Sequence, residues 1–99
     1  MTYSFHPAAT AEFERAIEYY EGCREGLGYE FALEVYSTVT RVLEYPDAWP
    51  VVEGEIRRSL LHRFPFGVLY GREATRIYIL AVMHLQRDPD YWKGRIVEG

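Results

Sequence analysis

Apolar residues recur along this chain with two periods, and the change between them falls near residue 56. In A-A-T-A-E-F-E-R-A-I-E-Y-Y-E, positions 8–21, Phe13, Ala16, Ile17 and Tyr20 follow helical spacing. Glu12, Arg15, Glu18 and Glu21 are assigned to the wet side of that helix. Pro7 suits its first turn, where a missing N–H is harmless. Gly22 and the C-R-E-G-L-G stretch break the run, and Leu27 or Gly28 restarts it. Leu27, Phe31, Val35, Thr38 with Val39, and Val42 with Leu43 then form a stripe through position 44, which Pro46 in Y-P-D-A-W-P ends. Two helices on a short link form an antiparallel hairpin, whose stripes should cover one face of a sheet.

After residue 56 the pattern shortens. I-R-R-S-L-L-H-R-F at 56–64 reads as a strand, P-F-G-V-L-Y at 65–70 begins another, and G-R-E-A-T at 71–75 reads as a hairpin turn. R-I-Y-I-L-A-V-M at 76–83 is the strongest strand, continuously apolar and rich in β-branched residues. Such a run predicts a central strand with material on both faces. Short turns make these three an antiparallel meander, and Y-S-F-H at 3–6 can add an edge strand. The predicted fold is α+β, a helical hairpin on a small antiparallel sheet in the order β-α-α-β-β-β.

Composition narrows the function classes. A chain of 99 residues suits one domain, 1–99, and 48% hydrophobic content is too apolar for a disordered chain. One cysteine, Cys23, forms no internal disulfide and suits a reducing cytoplasm. No apolar run approaches the length of a membrane span, and the first residues do not read as a signal peptide. The net charge of −4 conceals a division: residues 1–55 hold eleven acidic and three basic side chains, net −8, whereas residues 56–99 hold four acidic and eight basic, net +4. A basic surface on an acidic body follows as an expectation, and local potential governs docking more than total charge does.

Metal and cofactor sites are not expected. Three histidines, His6, His62 and His84, form no H-E-x-x-H or paired-cysteine pattern. G-C-R-E-G-L-G lacks the lysine and hydroxyl of a phosphate loop, so its glycines are assigned to ending one helix and starting another. The arginines carry more information. Arg57, Arg58 and Arg63 lie on one proposed strand, Arg76 opens the next long one, and Arg87, Lys93 and Arg95 follow it. Strand parity places Arg58 with His62, and Arg57 with Arg63 on the other face. Candidate contacts to a target or partner are therefore Arg57, Arg58, Arg63, Arg76, Arg87 and Arg95.

M-H-L-Q-R-D-P-D-Y-W at 83–92 gathers His84, Arg87, Tyr91 and Trp92 behind the strongest strand. A histidine exchanges protons near neutral pH, an arginine holds a phosphate through its forked donors, and a tyrosine orients a hydroxyl. These are the residue types of metal-free RNA cleavage. The structural alternative has His84 bonded to the hairpin, Arg87 paired with Asp88 or Asp90, and Trp92 closing the core.

Taken in order, F-H-P-A-A with A-I-E-Y-Y-E, G-L-G-Y-E-F, W-P with R-R-S-L-L-H-R-F-P-F-G-V-L-Y, and I-Y-I-L-A-V-M-H-L-Q-R-D-P-D-Y-W give a chain that resembles the RelE/ParE superfamily of bacterial type II toxin–antitoxin toxins. It is most similar to the ParE-like, plasmid-stabilisation branch, over residues 3–95. The resemblance implies a helical hairpin against a small antiparallel sheet and a cognate antitoxin that wraps the toxin. It also implies one of two targets. ParE-like members inhibit DNA gyrase, and RelE-like members cleave messenger RNA on the ribosome without a metal. Of the ribonuclease pattern, Arg58 matches the second-strand basic position, Arg87 and Tyr91 the late pair, and His84 the late histidine of some members. Gly67 stands where many ribonuclease relatives carry a phosphate-binding arginine, and Leu60 where a lysine can occur. Both departures favour gyrase inhibition through protein contact. The alternatives are a ribosome-dependent endoribonuclease, in which Arg63 or Arg76 compensates for Gly67, and a nontoxic antitoxin-binding module.

Overall fold

A computed structural model describes residues 1–96. Strand β1 (Thr2–Phe5) leads into helix α1 (Pro7–Cys23) and helix α2 (Leu27–Glu44), followed by β2 (Val51–Glu53), β3 (Ile56–Leu60), β4 (Phe66–Glu73), β5 (Arg76–His84) and a 3₁₀ turn at Lys93–Ile96. The five strands form one sheet in the order β1-β5-β4-β3-β2. The α+β class, the hairpin and the late antiparallel meander are as the periodicity predicts.

Four details differ. The sheet is mixed, because β1 pairs parallel with β5 from Thr2↔Arg76 to Phe5↔Ile79. An additional short strand, β2, pairs with β3 across Gly54, whose φ is +56°. Its three exposed residues are too few to show an alternation. The strand read through 56–64 stops at Leu60, because the Leu61 N–H turns to Phe66 O (2.9 Å). The G-R-E-A-T turn is tighter than read: Glu73 pairs with Arg76, leaving Ala74 and Thr75 as the loop. Ala74 takes a φ of +48°, as a two-residue hairpin demands.

Local chemistry explains the helix boundaries. His6 caps α1, its Nδ1 accepting the Ala8 N–H at 3.0 Å, with Pro7 following in the first turn. Between the helices, Glu21 accepts the Gly26 N–H at 2.9 Å and the Gly28 N–H at 3.0 Å. An α1 carboxylate thus satisfies donors at the α2 N-terminus, where negative charge is favoured. Gly26 turns the chain with φ +86°, and Gly28 lets the helices touch: a Cβ there would lie 2.6 Å from Ile17 O. Gly26 and Gly28 have the structural role read for the glycine link, whereas Gly22, read as a break, lies within α1, which runs on to Cys23.

The helices cover one face of the sheet. Phe13, Phe31, Val35, Val39 and Val42 pack on Val68, Tyr70, Ile77, Ile79 and Val82. Each large apolar side chain so buried contributes about 1.5–3 kcal/mol relative to exposure. A second cluster, Ile56, Leu69, Leu80, Ala81, Met83 and Trp92, lies on the opposite face. The continuously apolar run of β5 serves both, as expected of a central strand. Its parity shifts at a bulge: Tyr70 pairs with Ile79 but Leu69 with Ala81, leaving Leu80 unpaired and side by side with Ala81 on the second face. The bulge returns Val82 to the helix face and brings His84, which pairs with Phe66, to the same side.

Candidate functional site

The short β1 creates a problem at the edge of β5. After the His6 N–H donates to Ile79 O (2.8 Å), α1 carries the chain away, and the β5 edge beyond has no strand beside it. Two side chains substitute for the missing backbone. Glu12 accepts the Val82 N–H at 3.1 Å, and Arg95 donates to Leu80 O at 2.9 Å. They also bond each other, Arg95 Nη1 and Nη2 reaching the Glu12 carboxylate at 3.0 and 2.8 Å. Glu12 is therefore buried, correcting its assignment to the wet side. Its spacing with Ala9, Phe13 and Ala16 already placed it on the buried stripe; the charge concealed it.

Arg87 and Tyr91 complete this cluster. Arg87 reaches Glu12 at 3.3 Å, not Asp88 or Asp90, and its guanidinium stacks 3.7 Å from the Tyr91 ring centre. Arg95 lies 4.9 Å from the same ring. Cation–π attraction holds both cations against the tyrosine. The Tyr91 hydroxyl is buried beside Glu12 without a well-formed hydrogen bond, and burial followed by that carboxylate pushes its phenol well above the usual range. Glu12 in turn pushes Arg95 up, so the guanidinium stays charged.

Three of the other predicted arginines serve the scaffold. Arg57 donates to Asp47 O (3.1 Å) and Trp49 O (2.6 Å), tying down the turn after α2. Arg63 pairs with Glu30 at 2.7 Å, which lowers the Glu30 carboxyl below its usual range. Arg76 pairs with Glu73 at 3.2 Å and lies over Tyr78. Arg63 and Arg76 are thus each engaged by a carboxylate. Because β3 ends at Leu60, His62 and Arg63 lie beyond the strand, and the parity assigned to them does not apply; both their N–H groups donate to Glu34.

Arg58 behaves differently. It shares the second face with its pair Leu69, and its side chain runs over Gly67, where a Cβ would meet Arg58 Cγ and Cδ at 3.1 Å. Its guanidinium bonds to no described residue. The glycine thus makes room for the Arg58 side chain. Trp92, buried, and Lys93, which pairs with Glu53 at 2.7 Å and Asp90 at 3.1 Å, line the same ≈ 110 Å³ hollow as Arg58. Trp92 closes the second core cluster, as the structural alternative had it.

His84 lies on the helix side, with its ring 5.1 Å from that of Phe66. Its Nδ1 accepts the Gln86 N–H at 3.1 Å, the turn bond expected of it, so the neutral ring carries its proton on Nε2. His84 lines a groove of ≈ 470 Å³ with Arg15, Ala16, Tyr19, Tyr20, Pro65, Phe66, Val82, Arg87 and the buried Glu12. Arg15, Tyr19 and Phe66 were not among the predicted site residues. Arg15 and Tyr19 share one α1 face at i, i+4, a spacing visible in the sequence, but only the fold sets them against the end of β5. A hollow of ≈ 340 Å³ near Arg57, Tyr70 and Arg72 is lined by groups already bonded together: Tyr70 donates to Pro46 O at 2.7 Å and Arg72 pairs with Asp47 at 3.3 Å. No group of His, Cys, Asp and Glu suited to a metal occurs among the described residues. No described helix is long and apolar enough to cross a membrane.

Of the four ribonuclease candidates, His84 and Arg87 line one groove and Arg87 stacks on Tyr91 at the β5 edge, whereas Arg58 lies on the second face. No family model and no curated protein matches the chain. A chain of the chromosomal ParDE TA system from P. aeruginosa does match in structure, with a TM-score of 0.74 and 16% identity, over 87% of this chain and 97% of that one. This chain shares its fold. The ParDE likeness covers the hairpin-on-sheet architecture expected of a RelE/ParE-like topology, and at this identity it is a statement about fold.

Proposed function

We propose that this protein is the toxin of a type II toxin–antitoxin system, that it inhibits DNA gyrase through protein contact, and that a cognate antitoxin neutralises it. The ParDE-like fold supports the class. The observation that carries the choice of target is that Arg58 lies apart from His84, Arg87 and Tyr91, and that the Tyr91 hydroxyl is not open to a substrate. Cleavage at a 2′-hydroxyl needs a base, a positive anchor and an acid around one phosphate. Here Arg58 and His84 serve opposite faces, and the Tyr91 hydroxyl is buried under two guanidinium groups. A protein target makes no such demand. It needs a surface with free donors, and Arg15, Arg58 and the half-exposed Arg87 retain them. The proposed targets place the protein in the cytoplasm.

Induced expression in growing bacteria tests this reading. Gyrase supercoiling should fall or cleaved DNA accumulate, with reversal by antitoxin, while messages in a translating extract stay intact. Codon-positioned message cuts that Arg58→Ala, Arg87→Ala or Tyr91→Phe weaken would instead establish the ribonuclease. Normal growth with confirmed soluble protein and tight antitoxin binding would establish a nontoxic module.

A further inference from the structure

The groove between α1 and the ends of β4 and β5 combines an aromatic floor with a basic rim. Tyr20 and Phe66 pack into the core cluster beneath it, while Tyr19 stands 66% exposed at its wall. The only acid among its lining residues is Glu12, whose side chain is 4% exposed and already holds Arg95, Arg87 and the Val82 N–H. Its carboxylate is already engaged by these groups. The charges left facing the groove are Arg15, which bonds to no described residue, and Arg87, whose bond to Glu12 is long at 3.3 Å; the Nε2–H of His84 adds a neutral donor. On a chain of net charge −4 this is a local positive surface around an apolar recess.

We propose that this groove binds an acidic peptide segment, with one bulky apolar side chain on Tyr19 and Phe66 and flanking carboxylates on Arg15 and Arg87. Both halves of the fit are needed. An apolar segment without acids would leave two guanidinium groups desolvated, and an acidic one without an apolar anchor would leave the floor wet. Arginine's forked donors match a carboxylate in two bonds, and an exposed tyrosine supplies contact area with little rotamer entropy to lose. The inference names the ligand chemistry of the candidate site and rests on reading the chain as a partner-binding protein.

The test is fluorescence anisotropy with a short labelled peptide of Asp and Glu around a central Leu-Phe pair. Its controls are a twin carrying Asn and Gln instead and a labelled single-stranded RNA. The acidic peptide should bind more tightly than its amide twin and weaken with added salt. Arg15→Gln with Arg87→Gln should weaken it about tenfold. Tyr19→Ser should weaken it about fivefold. Arg24→Gln, outside the groove, should leave it unchanged. Arg15 and Tyr19 support no described hydrogen bond, so their single variants fold normally and decide the matter if the double variant does not. Equal binding of acid and amide twins, no effect of Arg15→Gln and Tyr19→Ser, or RNA displacing the peptide would each overturn the inference. Peptide binding without any gyrase effect would uphold the groove and remove the gyrase reading. Gyrase inhibition without peptide binding would do the reverse.

Discussion

Removing the Glu12 carboxylate should unfold this protein more readily than any other single charge change. Glu12 has a 4% exposed side chain and faces Arg95, whose side chain is 14% exposed. Truncation to alanine leaves the Arg95 guanidinium buried without its counter-ion, a loss of about 3–5 kcal/mol in comparable settings. It also orphans the Val82 N–H, a group whose unmet desolvation is about 1–3 kcal/mol, part of which water entering the gap recovers. The Arg87 contact adds little, because that side chain is half exposed and screened. Glu12→Ala should therefore cost about 4 kcal/mol, a large share of the roughly 5–15 kcal/mol that holds a domain together. Glu12→Gln keeps an acceptor for Val82 and should cost about half as much. Urea unfolding followed by far-ultraviolet circular dichroism measures both, and thermal melts should fall by about 4–8 °C per kcal/mol in a chain of this size. A cycle with Arg95→Ala isolates the pair, whose coupling should exceed about 2 kcal/mol. Glu12→Leu with Arg95→Met should recover much of the loss, since apolar replacements of a buried pair are often tolerated. A Glu12→Ala cost below about 1 kcal/mol, or strict additivity with Arg95→Ala, would refute the claim that this pair closes the β5 edge.

Other expectations follow from single contacts. Gly28→Ala should destabilise by about 2–3 kcal/mol, since its Cβ would lie 2.6 Å from a backbone oxygen of α1. Gly22→Ala, which meets nothing within 4 Å inside a helix, should stabilise by about 0.5–1 kcal/mol in the same denaturation assay. Tyr91→Phe should change stability by less than about 1 kcal/mol, because the buried hydroxyl has no well-formed partner, and it should leave the stacking of Arg87 intact. Burial pushes the Tyr70 phenol from 10.0 up to about 12, so its contribution to stability is intact below pH 10 and lost as pH rises through about 12. Spectrophotometric titration at the phenolate band should show Tyr70 and Tyr91 ionising after the exposed tyrosines, and denaturant should abolish the delay.

The sequence by itself determined the class of this fold. Stripes such as Phe31, Val35, Thr38 with Val39, and Val42 are local signals, because side chains on one helix face must be apolar wherever that face packs. The same holds for the two-faced run of β5, and Pro46 and the glycine link mark boundaries by backbone chemistry alone. What the sequence did not disclose depends on contacts between residues far apart. Parallel pairing of β1 with β5 follows from where the hairpin delivers the chain, and β2 is too short to carry a pattern. The Leu80 bulge shifts the parity by one, which is how His84 and Arg58 come to serve opposite faces. Glu12 read as solvent-facing because a carboxylate on a helix usually is; only Arg95, 83 positions later, makes its burial tolerable. The late residues 84–95 were legible as a set of reactive side chains, but their chemistry depends on what each one meets. Once Arg95 is held by Glu12 and Tyr91 is stacked under Arg87, the arginines with donors to spare are Arg15, Arg58 and the half-exposed Arg87, and distance along the chain carries no signal of that choice.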